Sequence, residues 1–507
     1  MKEQQEYDVV VVGGGPGGSS AAAFVAMQGY KVLLLERERF PRYHIGESLL
    51  PATVHGICTM LGVEEEVKKA NFVVKRGGTL RWGKRPEPWT FWFEESKLLA
   101  GRPAYAYQVV RSKFDDILLR NAAKKGVDVR EGHSVREVLF KDGRAVGVSF
   151  IDEQKKESTV HCKYIVDASG GAGLLANKIG ERIYDKFFRN LALFGYFKGG
   201  KRFEERRRGN IISAAFNEGW IWYIPLSDEL TSVGAVVPVE HAARIKELGH
   251  EKSYLTYLDA CPLIKDFLSP ATRVTEGEYG EIRLLRDFSY LNTRFWAPGV
   301  VLVGDAACFI DPILSSGVHL ATYAGLLAAR SINTCLKGEL DEERCFGEYE
   351  KRYRREYGVF YEFLLGFYEM HQDETSYFWN ARKIINAEEG AREAFVRLVA
   401  GLSDTGEPLF QSAGEFAASA QKQGEVLQAL SDAEKTGELS EELREESKRR
   451  GAIFFRERVQ LWDAKSKMNN PAATPTEAPL FDGGLVPSTD GLHWWASAKS
   501  ATAAEPG

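Results

Sequence analysis

The chain has 507 residues, more than a single core of about 100 to 200 residues holds, so two or three structural units are expected. At 44% hydrophobic and 27% charged, with 29 Phe, 20 Tyr and 10 Trp, the composition excludes a disordered chain and supplies enough aromatics to line a sizeable pocket. A formal net charge of -5 offers no basic excess to gather nucleic acid, and the six cysteines lack the CxxC spacing of a metal site and read as reduced.

The first strand-like run, Tyr7 to Val12, begins too close to Met1 to leave room for a signal peptide. No stretch reaches the roughly 18 apolar residues that span a bilayer. A soluble cytoplasmic enzyme with no membrane partner is therefore expected. After that strand come the glycines of residues 13–18, a helix from Ser19 to Gln28, and a strand from Lys31 to Leu35. A continuously apolar strand in such a unit implies a parallel sheet covered on both faces.

Gly13, Gly15 and Gly18 form GxGxxG, with Gly17 inside it, and Glu36 ends the next strand. Glycines there permit a tight turn and let backbone amides approach a pyrophosphate at a helix N-terminus, while the acid can accept from a ribose hydroxyl. Only one such fingerprint is present, so one bound dinucleotide is expected.

Further on, a helix from Phe114 to Lys125 and strands near Val127, Val146 and Tyr164 to Asp167 look like parts of the same domain. Between about 185 and 295 the pattern becomes one of alternating strands, such as Ile221 to Ile224 and Thr231 to Val237, which suggests a separate antiparallel sheet. A buried-strand pattern returns at Val300 to Asp305, followed by a long helix from Val318 to Leu336 closed by Gly338. The expected organisation is α/β: a discontinuous dinucleotide-binding domain of the Rossmann type at 1–184 and 296–340, an inserted antiparallel-sheet substrate domain at 185–295, and a C-terminal region at 341–507, helical to about Trp462 and then a Pro-containing tail.

Gly304-Asp305-Ala306-Ala307 ends the returning strand and leads through Ser315-Ser316-Gly317 into the long helix. Together with the early GxGxxG it resembles the FAD-binding fold shared by aromatic hydroxylases, geranylgeranyl reductases and halogenases. A narrower signal is Gly219-Trp220-Ile221-Trp222-Tyr223-Ile224-Pro225. In a strand, residues two apart share a face, so Trp220 and Trp222 would stand as an aromatic wall while Ile221 and Tyr223 face the other way. A tryptophan pair in a sheet is more often plain core. Here, however, WxWxIP resembles the signature of the flavin-dependent halogenases, as does Phe72-Val73-Val74-Lys75, whose Lys75 matches the essential lysine of that family. A lysine after three apolar residues can be partly buried, which lowers its pKa.

The resemblance implies several roles. FAD would be held by Gly13, Gly15, Gly17, Gly18, Glu36, Gly304 and Asp305, by the loop residues Arg42, Gly46, Glu47 and Ser48, and by Arg111 and Asp167. Halide, chloride or bromide, would bind at Ser316 and Gly317, and Lys75, Trp220 and Trp222 would be catalytic. Reduced FAD, supplied by a separate flavin reductase, and oxygen would convert halide to hypohalous acid. That acid would pass behind the tryptophans to Lys75 and halogenate an aromatic ring.

The branch it resembles halogenates phenols, including tyrosyl groups tethered to a carrier protein. The free-tryptophan enzymes carry Glu-Ser-Thr-Gly where this chain reads Leu314-Ser315-Ser316-Gly317. An aromatic monooxygenase, for which Lys75 and the tryptophans are incidental, and a flavin-bound scaffold without chemistry remain the alternatives.

Overall fold

The computed structural model describes residues 6–82, 87–96, 99, 103–185, 187–286, 289–369, 479–481 and 483–496. The chain divides into two units at Ser403/Asp404. In the second, the strands Leu485–Pro487 and Trp494–Ala496 pair antiparallel. The remainder of the expected 341–507 region beyond residue 369 lies outside the described residues.

In the first unit, five parallel strands lie side by side, in the order Val300–Leu302, Glu157–Asp167, Glu6–Val12, Val32–Glu36 and Asp128–Glu131. Val9, Val10 and Val11 are fully buried, as an apolar run covered on both faces requires. The returning strand Val300–Leu302 pairs directly with Glu157–Asp167, so a segment nearly 140 residues downstream completes the same sheet. The helix Pro16–Ala26 opens with proline at its first turn, where a missing N–H costs no helical bond, and every one of its residues is buried. It packs on the helix Gly317–Lys337 so closely that a Cβ on Gly325 would stand 2.7 Å from the Gly17 carbonyl.

The second sheet runs Thr272–Arg273, Asn190–Lys198, Leu230–Pro238, Gly219–Pro225, Ile211–Phe216, Gly77–Arg81 and Trp89–Trp92. It therefore takes in two strands from before residue 185, joined through a parallel pairing of Gly77–Arg81 with Ile211–Phe216. One face carries Leu191, Leu193, Ile221, Tyr223, Val233 and Ala235, and its core includes Ile245, Tyr254, Tyr257 and Ile264 from the helices Ala242–Leu248, His250–Asp259 and Pro262–Leu268. The opposite face holds Trp220 and Trp222.

The helix Glu342–Glu369 belongs to the same unit as the parallel sheet. Tyr349 donates to the Leu302 carbonyl, and the Tyr353 ring packs 5.2 Å from that of Phe295. Residue 341 is thus not a break between compact units, because these aromatic side chains cover the end of the returning strand.

Candidate active site

The glycine turn has the shape its sequence implies. Gly13 sits at φ +101°, and a Cβ there would stand 2.4 Å from the Ala168 carbonyl; one on Gly18 would stand 2.0 Å from the Gly13 carbonyl. Gly15 differs, since a Cβ there would meet only the Arg42 guanidinium, at 3.5 Å, so this glycine faces open space at the helix N-terminus. No side chain caps that end. Its first amides are free for an anion. Glu36, buried, accepts from the Gly14 amide at 2.6 Å and from the Glu38 amide at 2.8 Å, which holds the turn and leaves a lone pair on each oxygen.

Arg42 and Arg111 converge on the buried carboxylate of Asp115. Arg42 donates at 2.9 Å, and Arg111 makes a bidentate pair at 2.7 and 2.9 Å while also donating to the Ile45 carbonyl at 2.6 Å. Burial alone would raise Asp115, but these guanidiniums outweigh it and hold the carboxyl below its ordinary range. Gly46, at φ +100°, lies against Arg111, where a Cβ would stand 2.9 Å from Nη1. The Arg42–Asp115–Arg111 cluster thus shapes the loop that carries Glu47 and Ser48.

Glu47 accepts from Tyr196 at 2.7 Å, and Tyr196 shares a second bond of 2.7 Å with Tyr43. Burial raises Glu47 to about 7, against the pull of the Tyr196 and Ser232 hydroxyls and Arg111. Ser48 Oγ is buried without a hydrogen-bond partner. An unmatched buried hydroxyl points to a polar group that is held there during function.

Asp305 is pushed up to about 6 by burial, opposed by Arg111 and Arg182, and Gly304 before it adopts φ +64°. Asp167 stands elsewhere. Its oxygens accept from the Ser169 amide at 3.0 Å and the Leu175 amide at 2.7 Å, so the structure gives this fully buried carboxylate to the turn after its strand.

Lys75 ends the strand Val73–Lys75, which pairs antiparallel with Ala106–Gln108. The side chain is 2% exposed. Its Nζ donates to the Leu49 carbonyl at 2.9 Å and lies 5.5 Å from the centre of the Phe93 ring. Burial lowers its pKa from 10.5 to about 7, with no carboxylate contributing. The amine is therefore tied to the very loop that carries Glu47 and Ser48.

Trp220 and Trp222 share a face with ring centroids 6.1 Å apart. Trp222 lies flat over its cross-strand partner Gly234, where an added Cβ would stand 2.2 Å from the ring, and its Nε1 donates to Ser232 at 3.2 Å. Trp220 donates to the Tyr368 hydroxyl, which in turn donates to Asp311 at 2.6 Å. Asp311 also accepts from the Ile313 amide at 3.0 Å, and burial raises it to about 6. The turn held by Asp311 leads through Ser315, at φ +60°, to Ser316 and Gly317 at the N-terminus of the helix Gly317–Lys337, which no side chain caps. Ser316 is buried, and Gly317 faces the Phe309 ring, 2.9 Å from where a Cβ would lie.

Sequence reasoning missed Tyr368, Tyr196 and Asp115. The 28-residue helix around Tyr368 reads as charged and amphipathic, and nothing local marks that one tyrosine as facing the tryptophans. Among the described residues no group of three or more His, Cys, Asp and Glu could hold a metal, and no helix is long and apolar enough to cross a membrane.

The glycine cradle open at Gly15, the uncapped amides behind it and the orphan Ser48 hydroxyl fit an FAD. With the parallel sheet and the second, mostly antiparallel sheet they define an FAD-dependent oxidoreductase. A family model described as tryptophan halogenase matches residues 8–101 and 95–423. The tryptophan 2-halogenase of Chondromyces crocatus is 36% identical over 417 residues, covering 80% of this chain and 77% of that protein. Among solved structures, the myxobacterial chondrochloren halogenase CndH is 54% identical with a TM-score of 0.73, covering 97% of this chain and 100% of that one. The flavin-dependent halogenase CmlS is 35% identical with a TM-score of 0.68, covering 74% and 67%. The chain belongs to the flavin-dependent halogenases.

Proposed function

We propose that the enzyme halogenates an electron-rich phenolic ring, a tyrosyl group tethered to a carrier protein, in natural-product biosynthesis. Reduced FAD, delivered by a separate reductase, and oxygen supply the oxidising equivalents that turn chloride or bromide into hypohalous acid. Ser316, Gly317 and the uncapped helix end behind them hold the halide by backbone amides. The Trp220–Trp222 face keeps the organic ring away from the flavin, and Lys75 receives the hypohalous acid and presents halogen to the ring. A buried amine with a pKa near 7 has a far larger neutral, nucleophilic fraction near neutral pH than a solvated lysine has.

The observation that carries the phenolic assignment is the surroundings of Lys75: a carbonyl, a phenyl ring and no carboxylate that shifts its pKa. Where the resembled tryptophan enzymes place a glutamate, this chain has Leu314, which is buried. A phenol activates its own ortho carbons and needs no acid beside the lysine.

The test is mass spectrometry of a tyrosyl-loaded carrier protein after incubation with enzyme, reduced FAD, oxygen and chloride or bromide, with free tyrosine and free tryptophan in parallel. A halide-dependent mass gain on the tethered tyrosyl group supports the reading. Exclusive conversion of free tryptophan, or an oxygenated product without halogen, overturns it.

A further inference from the structure

A cavity of about 420 Å³ borders the strand that carries Lys75. That size falls among small-ligand pockets. Its lining includes Val73, Val74, Arg76, Arg202, Arg206 and Arg208, so four arginines face two carboxylates, Glu205 and Asp228, in a chain whose overall charge is negative. Gly209 forms part of the wall, and a Cβ there would stand 2.0 Å from the Val74 carbonyl, so the wall of the cavity and the Lys75 strand meet backbone to backbone. Pro225, the last residue of the tryptophan strand, also lines it.

Arg202 is the deepest of the four. Its guanidinium donates to the carbonyls of Gly200 and Lys201 at 3.2 Å, Ser227 at 3.2 Å and Leu230 at 3.3 Å, and to the Tyr223 hydroxyl at 3.1 Å. All these acceptors are neutral. A half-buried guanidinium whose hydrogen bonds all go to neutral oxygens keeps its positive charge at the cavity, with Asp228 the carboxylate whose field reaches it. Arg206 pairs with Glu94 and Arg208 with Asp228, but these side chains are exposed, and exposed pairs are weak enough to exchange partners. Arg76 is exposed and makes no ion pair among the described residues.

We propose that this cavity docks the phosphodiester at the root of a carrier protein's pantetheine arm, with the surrounding arginines meeting the acidic face of the carrier. The proposal rests on the tethered-substrate reading and deepens it. Guanidiniums recognise phosphate by paired N–H donors, and Val73 and Val74 offer apolar surface to the arm beyond it. Anchoring beside the Lys75 strand limits where the tethered ring can go, which is the positioning a free amino acid lacks.

The test compares wild type with R206E/R208E and with the milder R206A/R208A. Substrates are a tyrosyl-carrier protein, tyrosyl phosphopantetheine, tyrosyl pantetheine without the phosphate, and tyrosine ethyl ester. For the glutamate variant, KM for the tyrosyl-carrier protein is expected to rise at least tenfold, with kcat, melting temperature and FAD affinity unchanged, and the alanine variant to fall between. Wild type should prefer the phosphorylated arm to the unphosphorylated one, and the variants should lose that preference while treating the ethyl ester as wild type does. If both variants keep the wild-type KM for the carrier, the docking site lies elsewhere and the proposal fails while the tethered-substrate reading stands. If wild type turns over the ethyl ester but no tethered substrate, the tethered-substrate reading fails and the pocket assignment goes with it.

Discussion

The amine of Lys75 donates to the carbonyl of Leu49 at 2.9 Å, one residue past Ser48 in the loop assigned to the flavin. This contact joins two segments that the sequence shows only as separate motifs. It also fixes the electrostatics of the site, since a lysine held at 2% exposure by one carbonyl and a phenyl ring loses most of the stabilisation that water gives its charge.

The burial of Lys75 has a consequence for pH. Its pKa is near 7 in the folded chain and 10.5 in the unfolded one, so between those values the unfolded state binds the extra proton and stability rises with pH. Below about 7 both states carry the proton, and the full cost of burying the charge is present. K75M removes this term. It should melt higher than wild type at neutral pH, and the gap should close as pH rises from 7 to 10. A gap that is constant over that range would show that the lysine is solvated.

Trp222 and Gly234 are a matched pair, because the indole covers the space a side chain at 234 would need. G234A should push the ring from the wall and cost about 1 to 3 kcal/mol, as overpacked cores do. Flavin oxidation should continue while halogenated product per flavin oxidised falls. Unchanged product yield in a folded G234A enzyme would remove the tryptophan face from the path of the halogenating agent.

Tyr368 links the tryptophan wall to the halide turn through one hydroxyl shared by Trp220 and Asp311. Y368F keeps the ring among Trp82, Phe187 and Phe188 but leaves the Trp220 indole N–H without this acceptor and Asp311 without its shortest donor. The expected cost is about 1 to 3 kcal/mol. A raised KM for halide with an unchanged KM for the aromatic substrate would place the effect at the 311–317 turn, and steady-state kinetics with varied bromide measures it.

Gly15 faces open space at an uncapped helix end, so G15V should fold and lose FAD affinity by at least tenfold in a flavin-fluorescence titration. Wild-type affinity in that variant would move the pyrophosphate to another part of the turn.

Much of the site could be read locally. GxGxxG, Glu36, GDAA and WxWxIP each lie within one strand or one turn, where periodicity of two or a run of glycines reports geometry directly, and three apolar residues before Lys75 hinted at its burial. What escaped depended on distant pairing. Residues 77–81 and 89–92 read as part of the first domain, yet they complete the second sheet because Gly77 and Gly78 let the strand lie against Phe91, the ring of which fills the space where a Cβ at 78 would be. Asp167 has the strand-end position of a cofactor acid, but its oxygens bind the next turn's amides. The Tyr368 link joins residues 148 apart, and no local pattern encodes such a contact.

The most direct measurement of the central claim sets K75A beside wild type in one reaction containing reduced FAD, oxygen, bromide and tyrosyl-carrier protein, following flavin oxidation by absorbance and product by mass spectrometry. Lys75 is assigned a role only after hypohalous acid forms, so K75A should oxidise flavin at close to the wild-type rate and give less than about 1% of the brominated product, a loss of more than 2.7 kcal/mol in transition-state stabilisation at about 1.36 kcal/mol per tenfold. Full product yield from K75A would contradict the assignment of Lys75 as the residue that delivers halogen to the ring.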